Sequence, residues 1–233
     1  MRSAPLATLM AGAAIVFASA CSPSNSEQDA SQAPSSTAEF PYPEVRYYSE
    51  ISIPMDESMR AAAEFALAMS ADGMAIPYPE TPEATRIRFL QQVSPESDSI
   101  TTQVPHPPGF IGSTGGITQR VVGAREIGRE TVEFAICAYN TPGTYSLYED
   151  GNTVGPTPDD PHPYQLTHPR VQWTDRPAAD GSKPGNSRWL LVDMGIDNSV
   201  TDEMRSQVCE PFKPEPFIQQ MPDPINPSAT PTR

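Results

Sequence analysis

Thr131-Val132-Glu133-Phe134-Ala135-Ile136-Cys137-Ala138-Tyr139 is the stretch that decides the fold. Val132, Phe134, Ile136 and Ala138 fall on one side of it, Glu133 and Cys137 on the other. A period of two sends successive side chains to opposite faces of a strand, so one face is expected to meet a core. Working outward, 117–126 predicts a strand through Val121 and Val122, and 171–174 alternates through Val171 and Trp173. The last strand is expected at 188–194, Arg-Trp-Leu-Leu-Val-Asp-Met. Pro142-Gly143 predicts a turn, with a further strand starting in 145–148. Residues 150–163 form a long Gly-, Pro- and Asp-bearing insertion, and the polar segment 201–207 follows the last strand.

Upstream the period changes. Met55, Met59, Ala62, Ala63, Ala66, Leu67 and Met69 recur at helical spacing on an alanine-rich background, which predicts a helix over 55–71. Asp56 reads as its cap and Gly73 as its stop. Thr81-Pro82-Glu83 opens a second helix with a cap residue, proline at the first position and an early acid. Ile87, Leu90 and Val93 continue it, and Ser94-Pro95 ends it. Two N-terminal helices packed on a curved antiparallel sheet make the expected class α+β.

The flanks read differently. The stretch 22–43 is rich in Ser, Pro, Asn and Gln and has almost nothing to bury, so it is expected to be a disordered tether. The Pro-rich tail 213–233 is expected to be disordered as well. The expected division is a signal peptide at 1–20, a tether at 21–44, a globular domain at 45–212 and the tail at 213–233. The N-terminus carries Arg2, an uncharged run from Pro5 to Phe17, then Ala18-Ser19-Ala20-Cys21. A basic start, a short apolar run and small residues at the cut are the order of a secretory signal.

Cysteine arithmetic agrees with export. Of three cysteines, Cys137 and Cys209 can pair, which leaves Cys21 over. Outside the cytoplasm such a pair forms a disulfide. The alternative, a metal or catalytic role for these thiols, has no second Cys or His at ligand spacing behind it. The chain carries a formal charge of −14, with lysine only at Lys183 and Lys213 and no basic cluster. That excludes a nucleic-acid footprint and disfavours electrostatic docking to anionic lipid.

The search for chemistry is short. Asp160, His162 and His168 are the one cluster with metal-ligand character, set in a Pro-rich loop that supplies no chelating spacing. Gly112-Ser113-Thr114-Gly115-Gly116 lacks the Lys-Ser/Thr of a phosphate loop and reads as a flexible connection. Ser113 sits in no nucleophile elbow. Glu64, Glu133 and Asp193 are candidate cavity carboxylates, and Trp173, Trp189, Tyr139, Tyr145 and Phe134 candidate pocket or core aromatics. No catalytic residue and no cofactor is assigned.

Ala18-Ser19-Ala20-Cys21 resembles the lipobox of bacterial lipoproteins, with Ala18 where that family usually places an aliphatic residue. The resemblance implies that Cys21 becomes an acylated first residue and that the membrane is a partner through this anchor; another envelope protein is a further expected partner on the reading of the chain as an assembly module. The order of Cys137, the Arg188-Trp189 strand and Cys209 is similar to that of small secreted actinobacterial proteins with a nuclear-transport-factor-2-like cone. That resemblance implies two helices over a curved sheet, and no function. The expected role is a non-enzymatic, lipid-anchored binding or assembly module outside the cytoplasm. The alternatives are a binder of a small apolar ligand in the sheet cavity and a carboxylate-based hydrolase or isomerase.

Overall fold

The structure, a computed structural model, describes residues 40–78, 81–97, 105–157, 164–197 and 199–225. The expected signal, Cys21 and most of the tether lie outside these residues, as do Asp160 and His162. The described chain belongs to one compact unit. Its elements are β1 (Arg46–Ile51), α1 (Glu57–Ala75), α2 (Glu83–Leu90), β2 (Phe110–Gly128), β3 (Thr131–Tyr148), β4 (Thr153–Val154), β5 (Tyr164–Thr167), β6 (Arg170–Thr174), β7 (Arg188–Asp193) and α3 (Asp202–Cys209), with a 3-10 turn at Glu210–Phe212. The class is α+β, built on a seven-stranded sheet.

Two features depart from a helix-first, all-antiparallel arrangement. Tyr47, Tyr48 and Ile51 put a strand ahead of the first helix, as β-branched and aromatic residues favour. That strand runs parallel to β2, from Arg46 opposite Gly116 to Ile51 opposite Val121. Parallel neighbours need a long crossover, and α1 with α2 supplies it. The remaining pairings are antiparallel, in the order β1-β2-β3-β6-β7, with β4 and β5 also on β3.

The β2–β3 ribbon is longer than its sequence suggests because two expected breaks are absorbed as irregular strand. Gly112–Gly116, expected as a flexible connection, pairs with β3 from Leu147 to Gly143. Pro142-Gly143, expected as a turn, lies inside β3 in a bulge, where three residues of β3 stand opposite Ile117 alone. Gly115 has φ +98°, and a Cβ there would lie 1.9 Å from the Gly143 carbonyl oxygen. The glycines therefore serve close approach of two strands rather than chain flexibility.

Both faces of the sheet are covered. On one, Ala62, Ala63, Ala66, Leu67 and Met69 of α1 pack with Phe89 and Val93 against Val121, Val132, Phe134, Ile136, Val171 and Leu191. Phe134 and Ile136 are fully buried, and each such side chain contributes about 1.5–3 kcal/mol. Asp56 caps α1, its carboxylate accepting from the Met59 amide at 2.8 Å. Gly73 does not stop α1. It lies inside the helix, where a Cβ would come within 2.8 Å of Met194 Cε, so the glycine makes room for that side chain. Thr81 does not cap α2; its hydroxyl donates to the Ala75 carbonyl and ties the helices together. Past Leu90 the chain leaves the helix and covers the edge of β7: Ser94 N–H donates to Leu191 O and Leu191 N–H to Gln92 O, at 2.7 and 2.8 Å.

On the opposite face Cys137, Tyr139, Tyr164 and Leu166 pack with Val200 and Cys209, flanked by Val208, Phe212 and Phe217. The segment expected as merely polar here is α3. Thr201 caps it by accepting from Met204 N–H, and Asp202 and Glu203 occupy its first turn. Cys137 and Cys209 are joined in a disulfide. The tail, expected to be unpacked, continues over this face through residue 225. The Thr141 hydroxyl donates to Ile218 O, Gln220 N–H to Pro142 O and Ile225 N–H to Pro41 O. These bonds tie the Pro-rich tail to the bulge of β3 and to the segment that precedes β1.

Candidate functional site

The space between α1 and the sheet is filled by Ala62, Ala66, Leu67, Phe134 and Ile136, all buried. Open volume lies at the ends of this core. One groove of about 400 Å³ runs between the first turn of α1 and the β2–β3 hairpin. Val132 and Thr131 line it with Met59 and Ala61, and Trp173 and Trp189 with Asp56, Glu126 and Glu130.

Register explains why these residues meet. Val171 faces α1, so Trp173, two positions on, faces the same way. Trp173 stands opposite Trp189 in the β6–β7 ladder. Their ring centroids are 5.3 Å apart with planes at 64°, an edge-to-face pair worth about 0.5–1.5 kcal/mol beyond area burial. Trp173 is nonetheless 42 % exposed. Glu126 stands opposite Val132, which places it on the α1 face just beyond the helix. Glu130, at the hairpin tip, has φ +60°, a conformation costly for a residue with a long side chain. Its carbonyl accepts from Trp173 N–H at 2.8 Å, so the same residue is tied to the tryptophan strand and lines the groove.

A second groove, of about 380 Å³, lies at the other side of the core between Met74, Leu166, Met194, Ile196 and Arg205. Ser70 at its wall accepts a hydrogen bond from Gln119 Nε2 at 3.0 Å. Gln119 Oε1 is buried without a partner.

No family model matches this chain. No curated protein matches it either.

The expected site residues separate. Trp173 and Trp189 come together in a groove, whereas Phe134 and Tyr139 are fully buried on opposite faces of β3. Burial pushes the Tyr139 phenol well above its usual range, and its O–H donates to Cys209 O at 2.7 Å. Tyr145 packs against Gly155, where a Cβ would lie 2.2 Å from its ring. The carboxylates Glu64, Glu133 and Asp193 do not converge. Glu64 is exposed on α1, Glu133 pairs with Arg125, and Asp193 pairs with Arg170 and accepts from Gly195 N–H at 2.9 Å. Burial raises the Asp193 carboxyl, but the Gly195 amide and the Arg170 guanidinium outweigh it and hold the group below the usual carboxylate range. His168 sits in the β5–β6 turn, its backbone N–H donating to Gly195 O. Among the described residues no His, Cys, Asp and Glu cluster of metal-binding form occurs. Ser113 lies within β2 beside Ser146. No helix among the described residues is long and apolar enough to cross a membrane.

Asp56, Glu126 and Glu130 were not singled out as site residues by the sequence. Asp56 was legible only as a cap, and the other two are ordinary acids until the β2–β3 register brings them to the tryptophans.

Proposed function

We propose that this chain is an exported, lipid-anchored binding module whose recognition site is the groove between Trp173, Trp189 and the first turn of α1. The single observation behind this is the groove's position. Phe40, where the described chain begins, packs its ring on Gly112 at one end of the β2–β3 ribbon. The groove lies at the hairpin tip beyond Gly128, at the other end. At ~3.3 Å per residue the ribbon contour between them is on the order of 50 Å. A domain held at residue 40 by the segment that follows an acylated Cys21 would therefore carry its tryptophans remote from the attachment point. Stable anchoring takes more than one acyl chain, which the lipoprotein resemblance supplies.

The role is binding rather than catalysis. The polar residues at the groove are Asp56, Glu126 and Glu130 with Ser58 and Thr131, set against an aromatic wall. The resemblance to nuclear-transport-factor-2-like cones is consistent with two helices on one face of a bent sheet, and carries no function by itself. A second reading, binding of a small apolar ligand, is favoured by the methionine-lined groove at Met74 and Met194. Native mass spectrometry of the full chain extracted from its own envelope tests both. A small molecule that co-purifies with the parent and is lost in Trp173→Ala supports the tryptophan groove. One lost only in Met74→Gln supports the other, and one retained in both variants contradicts both sites.

A further inference from the structure

The tryptophan groove has a charge pattern that defines its ligand, and we infer that it takes a small solute bearing a weakly hydrated organic cation, a quaternary ammonium group. This rests on the reading of the groove as the recognition site and adds the ligand class.

Three acidic residues, Asp56, Glu126 and Glu130, are among those lining the groove, with Ser58 and Thr131, and no Lys, Arg or His is. Asp56 is satisfied by the Met59 amide. Neither Glu126 nor Glu130 has an ion-pair partner among the described residues, whereas Arg125 beside them is engaged by Glu133. An anion would face repulsion from these acids, and the helix N-terminus that could attract it is already capped. A purely apolar ligand would strip water from Glu126 and Glu130 and give nothing back. A hard metal ion would need converging oxygen ligands, whereas two indoles form one side here. A quaternary ammonium satisfies both halves: its methyl surface and diffuse charge lie against indole, and its charge answers the carboxylates. Glu130 adds a separate indication. Its left-handed backbone suits Asn or Gly, yet the position, which is part of the groove's lining, carries a long acid.

The chain offers its own reporter, because Trp173 and Trp189 are its two tryptophans. The experiment titrates the full chain, in a maltoside detergent without choline headgroups, with choline and with its uncharged carbon isostere 3,3-dimethyl-1-butanol, following tryptophan emission. Choline is expected to give a saturable change, with the isostere at least about tenfold weaker. Glu126→Gln and Glu130→Asn are each expected to weaken choline binding about three- to fivefold. Glu130→Asn tolerates the left-handed backbone, so it keeps or raises thermal stability while losing affinity, which a purely structural role for Glu130 would not produce. Equal binding of choline and isostere overturns the cation inference and leaves the groove a binding site. Binding to phosphatidylcholine vesicles without binding free choline overturns it in favour of a membrane surface. No emission change with either solute overturns it together with the groove's role in recognition.

Discussion

The Tyr139 phenol donates to the carbonyl oxygen of Cys209 at 2.7 Å, two positions along β3 from the disulfide that holds the same cysteine. Three attachments thus converge where α3 ends: the Cys137–Cys209 bond, this hydrogen bond, and the Arg120 guanidinium on Phe212 O. They bind the C-terminal segment to the face of the sheet that α1 does not cover.

Opening that attachment should be costly. The bridge closes a loop of 72 residues, which in the chain-entropy model contributes about 4 kcal/mol. Cys137→Ala with Cys209→Ala should lower unfolding stability by about that amount in urea denaturation. Tyr139→Phe alone should cost about 1–2 kcal/mol through the unsatisfied Cys209 carbonyl. Unchanged denaturation midpoints in both would contradict the arrangement of this face.

Gly115→Ala should damage the fold out of proportion to one methyl group. The new Cβ would meet Gly143 O at 1.9 Å on a backbone of φ +98°. The expected loss is about 3 kcal/mol or more, read as a lowered thermal midpoint. A neutral result would mean that the glycine-rich stretch is a loose connection after all.

Gln119 and Ser70 form a buried polar pair with one amide oxygen left without a partner. Gln119→Leu with Ser70→Ala should be neutral or stabilising by about 1 kcal/mol, while Ser70→Ala alone should cost about 1 kcal/mol or more because it strands the amide. A double-mutant cycle in denaturant checks the coupling.

Asp193 sets an acid limit. Its carboxyl titrates below the usual range in the folded chain because the Gly195 amide and Arg170 outweigh burial. A depressed folded value means that stability is present above the unfolded pKa, about 3.9, and is lost as pH falls through the folded value. Asp193→Asn should therefore lower stability near neutral pH and flatten its decline below about pH 4, measured as thermal midpoint against pH.

The α1 face was legible in the sequence because its signals are dense. Val132, Phe134 and Ile136 alternate against an alanine-rich helix, and each residue points where its period sends it. The other face was hidden. Its inward positions are Cys137 and Tyr139, and its cover comes from Phe212 and Phe217 in a Pro-rich stretch that resembles an unpacked tail. In α3, Thr201-Asp202-Glu203 is a readable start, but Met204 and Val208 give too sparse an apolar stripe to announce a helix. Gly112–Gly116 and Pro142-Gly143 carry the composition of loop and turn, and only pairing distinguishes a bulged strand from a chain reversal. The groove needed cross-strand register as well. Alternation puts Trp173 and Trp189 on one face, but nothing local brings them opposite each other or beside Glu126.

The central claim is an oxidised module displayed outside the cytosol on an acyl anchor, and the intact mass of the protein recovered from its native envelope tests it most directly. The account predicts a chain beginning at Cys21, heavier by its acyl groups and lighter by the two hydrogens of the Cys137–Cys209 bond. A full-length, unacylated chain with three reduced thiols would contradict it.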